Sequence, residues 1–165
     1  MTDGVKKNSE KILIQGLGND ILTDDGIGPK LISDLACLIN TPGIEFNNAC
    51  CGGMQIMEYI QGYEKVIFID AIRTEKGNPG DVYYFVPSQF RETLHLSSLH
   101  DTNFITALEL GTNLNMKLPT DLHIIAIEII EDMEFGEELT LPLREKYPAI
   151  LEEVSQIIKQ IIFPS

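Results

Sequence analysis

The sequence is poor in positive charge, in cysteine and in long hydrophobic runs, and each shortage argues against a class of protein. Only 12 Lys and Arg stand against 25 Asp and Glu, so the net charge is −13. Such a surface repels phosphate backbones and anionic lipid headgroups, which argues against binding to nucleic acids or membrane surfaces. The three cysteines, Cys37, Cys50 and Cys51, are an odd number with two adjacent members, so they do not form a disulfide framework.

The lack of long apolar runs also bears on the localisation of the protein and on its domain organisation. No apolar run approaches the length of a membrane span, and the first ten residues lack the apolar stretch of a secretory signal. Together with the cysteine count, this predicts a cytoplasmic protein. We expect a flexible segment over residues 1–10 and a single domain over residues 11–165, which is a monomer by default at this size.

The chain alternates short apolar runs with segments of helical spacing. Strands are predicted at 11–17, 44–50, 65–71, 82–86 and 122–130, and helices at 26–39, 54–60, 102–114 and 149–162. This order predicts a three-layer α/β domain, with helices on both faces of a mostly parallel sheet that contains one antiparallel strand. Ligands of such sheets bind beyond the carboxyl ends of the strands, so the residues that follow each strand are the functional candidates.

The loop after the first strand, GLGNDILTDDGIG, invites comparison with a dinucleotide-binding fingerprint. The third glycine of that fingerprint is replaced by Ile21, and the carboxylates of Asp24 and Asp25 precede the helix where a pyrophosphate needs free N–H groups. The dinucleotide interpretation is therefore rejected. Another interpretation is that Asp24 or Asp25 caps the helix, although capping requires only one of them.

The three histidines differ in their surroundings. His123 lies within the last strand and is predicted to be structural. His95 and His100 flank a short segment before a helix, where a histidine is usually an ordinary surface residue. His100 would nevertheless emerge at the same edge of the sheet as the first loop.

Asp70 ends an apolar central strand, where it is either a polar strand end that caps a turn or a catalytic acid or ligand. Asp25, Asp70 and His100 come from three loops at one sheet edge and form a candidate divalent-metal site with open positions. Their oxygen and nitrogen atoms suit nickel, zinc, manganese or iron equally. Cys50 and Cys51 are predicted to be buried structural thiols, with a role as a soft ligand or nucleophile as the alternative.

Several motifs follow one another in a characteristic order. They are the G-x-G-N-x-x-x-x-D-(D/E)-x-x-G loop at Gly16–Gly28, the pair Gly52-Gly53, the strand end Asp70-Ala71, the segment Ser98-Leu99-His100 and the strand end Ile127-Glu128. This order resembles the [NiFe]-hydrogenase maturation endopeptidases, and the likeness extends from Lys11 to Ile162.

The resemblance implies an aspartic-type or metal-dependent endopeptidase that removes the C-terminal extension of a hydrogenase large-subunit precursor after nickel insertion. It implies that Asp25, Asp70 and His100 contact nickel supplied by the substrate, and that Asp25 or Asp70 is the general base. The residues that match the loop and are expected to shape it are Gly16, Gly18, Asn19 and Gly28. The alternative is a non-catalytic nickel-binding or chaperone module. Cys51 departs from the family, which commonly has aspartate there.

The negative charge is concentrated after the last strand. Residues Glu128 to Glu138 include six acids and no base. This segment is either a solvated loop or a negative rim that admits a cationic or metal-bearing protein partner.

Overall fold

The computed structural model of the protein describes residues 10–50, 54–89, 93–96 and 104–165. The strands are β1 (Ile12–Leu17), β2 (Ile44–Ala49), β3 (Lys65–Ile72), β4 (Val82–Phe85) and β5 (Asp121–Glu128). The α-helices are α1 (Ile27–Leu38), α2 (Met54–Ile60), α3 (Phe104–Asn113) and α4 (Leu141–Ile162). The predicted order of strands and helices is confirmed.

The strands form one sheet in the order β2-β1-β3-β5-β4. All neighbours are parallel except β4 and β5, which confirms the prediction of a mostly parallel sheet with one antiparallel strand. β4 follows β3 directly in the chain, yet the two strands are not neighbours in the sheet. β5 pairs with β3 along its whole length, so β4 lies on the far side of β5.

Helices cover both faces of the sheet, and alternate residues of each strand point to opposite faces. In β1, Ile14 packs on the face covered by α1 and α4, whereas Leu13 packs on the face covered by α2 and α3. All eight residues of β3 are buried. This burial on both faces explains why the central strands are almost entirely apolar.

Helix α4 begins at Leu141, eight residues before the predicted start at Ala149. Pro148 lies inside this helix, where a proline lacks one hydrogen bond and costs about 3 kcal/mol. Pro148 is exposed in α4, so water can reach the carbonyl group that it leaves unpaired. The buried face of the helix, including Ile150 and Val154, offsets the cost.

One smaller prediction also changes. β5 ends at Glu128 instead of Ile130. The strand ends early because the N–H group of Ile130 donates to a side chain of the first loop. No helix in the described ranges is long and apolar enough to cross a bilayer.

Candidate active site

The candidate site lies between β1 and β3, where the chain changes direction across the sheet. β2 lies on one side of β1 and β3 on the other, and such a switch point opens a crevice at the carboxyl ends of the strands. β3 pairs with β1 only as far as Ile69, but with β5 as far as Ile72. Asp70 therefore lies just beyond the part of β3 that β1 covers.

The first loop folds tightly back over the end of β1. Gly18 has a φ of +141°, and a Cβ atom there would lie 2.1 Å from the carbonyl oxygen of Asp25. A Cβ atom on Gly28 would lie 2.3 Å from the carbonyl oxygen of Leu17. Since neither position has room for a side chain, the glycines let the loop and the start of α1 pack directly on β1.

Asp24 and Asp25 of this loop are buried, and neither caps α1. The residue before the helix is Gly26, and no side chain caps it, so the capping interpretation is wrong. The 3-10 turn over Thr23–Gly26 turns both carboxylates inward instead. Thr23 has a φ of 40°, an uncommon backbone conformation for a residue other than glycine.

Asp24 holds the chain that follows β5. Its Oδ2 atom accepts hydrogen bonds from the N–H groups of Ile130 at 3.2 Å and Glu131 at 3.1 Å. The N–H group of Thr140 donates to Oδ1 at 2.7 Å, and the Thr140 hydroxyl donates to Oδ2 at 2.9 Å. Both oxygens of Asp24 are thus used for structure.

Asp70 is completely buried and anchors the segment 93–96. Its Oδ2 atom accepts hydrogen bonds from the hydroxyl of Thr93 at 2.5 Å and from the N–H groups of His95 at 2.9 Å and Leu96 at 3.2 Å. Its Oδ1 atom accepts one from the N–H group of Ala71 at 2.9 Å. These bonds bring the side chain of His95 back to the sheet edge.

His95 bridges the two loops. Its Nδ1 atom lies 2.7 Å from Oδ1 of Asp70, and its Nε2 atom lies 3.4 Å from Oδ2 of Asp25. Burial alone lowers the pKa of His95, but hydrogen bonding to Asp25 and Asp70 and their negative charges outweigh it and raise the pKa to about 10. The imidazole is therefore a cation at neutral pH, placed between two carboxylates.

One atom of this cluster has no hydrogen-bond partner among the residues that the structure describes. Oδ2 of Asp25 accepts a hydrogen bond from the N–H group of Asn19 at 2.9 Å, whereas Oδ1 is buried and accepts none from the described residues. A buried acceptor without a donor costs about 1–3 kcal/mol, so such an atom calls for an explanation. A bound group that completes its coordination would supply one.

The structure thus brings together two of the three predicted metal contacts, Asp25 and Asp70. His100 lies outside the described residues, so its contact with a metal stays a prediction. His95, which we expected to be an ordinary surface residue, has a side chain only 14% exposed and joins the two carboxylates. The sequence signal that could have identified His95 is its position: like His100, it precedes a helix at the edge of the sheet where the strands end.

The other candidates lie elsewhere or outside the described residues. Cys50 is a free, exposed thiol, so the prediction that it is buried is wrong, since β2 has ended one residue earlier. Cys51 and the pair Gly52-Gly53 are not among the described residues.

His123 lies near the amino end of β5, away from the site, and its Nδ1 atom is 2.7 Å from the hydroxyl of Tyr84. In the part of the chain that the structure describes, no group of three His, Cys, Asp or Glu is arranged as a metal site.

Comparison with known proteins assigns the family. The family model described as hydrogenase maturation protease matches residues 29–157. The hydrogenase 2 maturation protease of Escherichia coli K12 is 24% identical over 155 residues, which cover 91% of this chain and 92% of that protein.

Solved structures with the same fold include two hydrogenase maturation enzymes. The hydrogenase maturating endopeptidase HybD from Escherichia coli has a TM-score of 0.68 and 23% identity, over 91% of this chain and 93% of that chain. The [NiFe] hydrogenase maturation protease HycI from Thermococcus kodakarensis KOD1 has a TM-score of 0.61 and 23% identity, over 93% of this chain and 95% of that chain.

The α/β fold that carries these two buried carboxylates is thus the fold of solved hydrogenase maturation endopeptidases. The chain belongs to the hydrogenase maturation protease family, which confirms the predicted resemblance. The family match begins at Pro29, so it includes Asp70, His95 and His100 but leaves out the first loop with Asp25.

Proposed function

We propose that this protein is an endopeptidase that removes the C-terminal extension of a [NiFe]-hydrogenase large-subunit precursor after nickel has been inserted. Membership of the family supports both the proteolytic activity and the choice of partner. The observation that carries the proposal is the buried cluster in which His95 bridges Asp25 and Asp70 and one oxygen of Asp25 has no donor.

In this proposal the nickel ion arrives as part of the substrate. Carboxylate oxygens and imidazole nitrogens are suitable ligands for nickel, and Asp25, Asp70 and His100 are the proposed contacts. Contact with a metal that is already bound beside the cleavage site would orient the scissile peptide. It would also make cleavage depend on whether the precursor is loaded with nickel.

The hydrogen bonds favour different roles for the two carboxylates. Asp70 has acceptor bonds on both oxygens, and these hold His95 and the segment 93–96 in place. Asp25 has a buried oxygen that accepts no hydrogen bond from the described residues, which leaves a lone pair for a water molecule or a metal. We therefore assign the general base to Asp25, and to Asp70 the positioning of the segment that carries His95.

His95 supplies positive charge in the absence of nickel. Two buried carboxylates at one site repel each other and are costly to desolvate unless a cation lies between them. The raised pKa of His95 keeps the imidazole charged for this purpose. A nickel ion on the precursor would offer the same two carboxylates a second cation.

The direct test uses the nickel-loaded precursor of the cognate hydrogenase, purified from cells that lack this protein. Incubation with the protein, followed by intact-mass spectrometry, should show the loss of a C-terminal peptide. The nickel-free precursor and the Asp25→Asn variant are the controls, and neither should yield that product. Nickel-dependent binding without any cleavage would instead identify a chaperone module, and neither binding nor cleavage would reject both functions.

A further inference from the structure

Beside the site lies a surface where large apolar side chains are exposed to solvent. Phe135 is 82% exposed and Met133 is 77% exposed, both on the chain between β5 and α4. Ile21 of the first loop and Leu141 at the start of α4 are exposed as well. We call these four residues, with the chain that connects them, the loop surface. Exposed apolar side chains grouped in this way mark interaction sites.

The backbone beneath the loop surface is firmly held. The N–H group of Thr23 donates to the carbonyl of Gly136 at 2.8 Å, and the N–H group of Gly136 donates to the carbonyl of Ile21 at 2.9 Å. A Cβ atom on Gly136 would lie 2.8 Å from Cγ2 of Thr23, so the two segments are in close contact. Asp24 adds the four hydrogen bonds described above. The apolar side chains are thus presented on an ordered backbone, which lowers the entropy lost on binding.

The loop surface carries an excess of negative charge. The acidic side chains on its two segments outnumber the cationic side chains that contact these segments. The acids are Asp20, Glu131, Asp132, Glu134, Glu137 and Glu138. The cations are Lys30, Arg73 and Arg144. Arg73 pairs with Asp132 and Arg144 with Glu138, while Lys30 donates to the backbone carbonyl of Glu137. In the described part of the chain the carboxylates of Glu134 and Glu137 form no ion pair.

We propose that the loop surface binds a segment of the protein substrate that carries Lys or Arg beside a large apolar side chain. The inference rests on the proposed function and names the surface that captures the precursor. The surface is continuous with the site, because Asp24, which holds it, is adjacent to the proposed base Asp25. A chain bound there would therefore lie next to the proposed reacting groups.

Charge decides between a partner and a second copy of this chain. A two-fold interface would place the loop surface against itself, and the acids of one copy would face the same acids of the other. A basic segment instead pairs with Glu134 and Glu137 while its apolar side chain covers Met133 and Phe135. Opposite charge of this kind accelerates association, and the buried apolar anchor slows dissociation.

The test compares two double variants that each remove two exposed apolar side chains. Met133→Ser with Phe135→Ser alters the loop surface, whereas Leu38→Ser with Phe163→Ser alters exposed residues at the opposite end of the sheet. Binding of the nickel-loaded precursor is measured by biolayer interferometry and cleavage by mass spectrometry. The first variant should bind about tenfold more weakly or worse and cleave normally at saturating precursor, whereas the second should match the wild type in both.

A charge variant separates the two components of the surface. Glu134→Gln with Glu137→Gln should slow association severalfold at low salt, and the difference should vanish at high salt.

The outcomes distinguish the two proposals. Weaker binding of the Met133/Phe135 variant supports the loop surface. If the wild type binds the precursor without cleaving it, the loop surface still stands and the peptidase is rejected. Equal binding by both apolar variants overturns the loop surface while leaving the peptidase intact. If the wild type is a dimer and the Met133/Phe135 variant is a monomer, a second copy of the chain occupies the loop surface, and the inference is overturned.

Discussion

Asp24 and Asp25 are neighbours in the chain and both are buried, yet their surroundings differ sharply. Asp24 accepts four hydrogen bonds from Ile130, Glu131 and Thr140, so both of its oxygens are engaged. Asp25 accepts one from Asn19 and faces the cation of His95, and its other oxygen is buried with no donor in the described parts of the chain. The first arrangement holds two segments of the fold together, whereas the second suits the reactive role that we propose for Asp25.

The comparison shows that burial alone does not identify a functional carboxylate. Native proteins satisfy nearly all of their buried polar atoms, and Asp24 follows that rule. An exception next to a buried cation, as at Asp25, is more informative than burial or residue type. Three substitutions test this division of roles, in order of decreasing effect.

The largest effect is expected for Asp25→Asn. Loss of a general base lowers a rate by about 10²–10⁴-fold, so cleavage of saturating precursor should fall by that factor. The free energy of unfolding should change little, because the amide can still accept the hydrogen bond from Asn19. Single-turnover mass spectrometry and urea unfolding measure the two quantities. Glu109→Gln, an exposed carboxylate on α3, is the matched control and should change neither.

The second effect is on stability and concerns Asp24→Ala. It leaves four donors without their acceptor and should lower the free energy of unfolding by about 3 kcal/mol, roughly 10²-fold in the equilibrium constant. Thr140→Val removes only one of the four donors and should cost about 1 kcal/mol. Urea unfolding gives both values, and hydrogen exchange should show the amides of Ile130 and Glu131 losing protection. Full stability together with lost cleavage would reverse the roles that we assign to the two aspartates.

The third and smallest effect is a pH dependence that His95 confers. Its pKa is raised from 6.5 to about 10 in the folded protein, so its stabilising contribution is complete below pH 6.5. That contribution is lost as the pH rises from 6.5 through 10, because the unfolded chain has already released the proton that the folded protein still holds. The free energy of unfolding should therefore fall more steeply over this range for the wild type than for His95→Gln. If the free energy of unfolding changes with pH in the same way for the wild type and for His95→Gln, the imidazole carries no charge between the two carboxylates.

Local sequence pattern predicted most of the fold because most of it has local causes. The apolar runs of β1, β3 and β5 reflect strands covered on both faces, and the helical stripes reflect one buried face. The position of β4 has no local cause, since it depends on β5, which comes later in the chain and takes the place beside β3. The start of α4 was missed because burial of its apolar face outweighs the local effect of Pro148.

The candidate site was predictable only in part, for a similar reason. Asp25 and Asp70 follow from the rule that strand ends converge at one edge of a parallel sheet. The position of His95 depends on the carboxylate of Asp70, which accepts the N–H groups of His95 and Leu96 from 25 and 26 residues away. The role of Asp24 likewise depends on donors more than one hundred residues later. The position of His95 and the hydrogen bonds of Asp24 therefore cannot be predicted from the sequence around each residue.

The contacts of Asp24 also constrain the order in which the protein folds. They close loops of 106 to 116 residues, among the longest in the chain, and such closures are slow and unfavourable until intervening structure has formed. During synthesis on the ribosome, Asp24 of the first loop therefore cannot form its hydrogen bonds with Thr140 until Thr140 has been made. Asp25, the residue beside Asp24, receives its final orientation only when 140 of the 165 residues have been made, so the proposed site is completed late in synthesis.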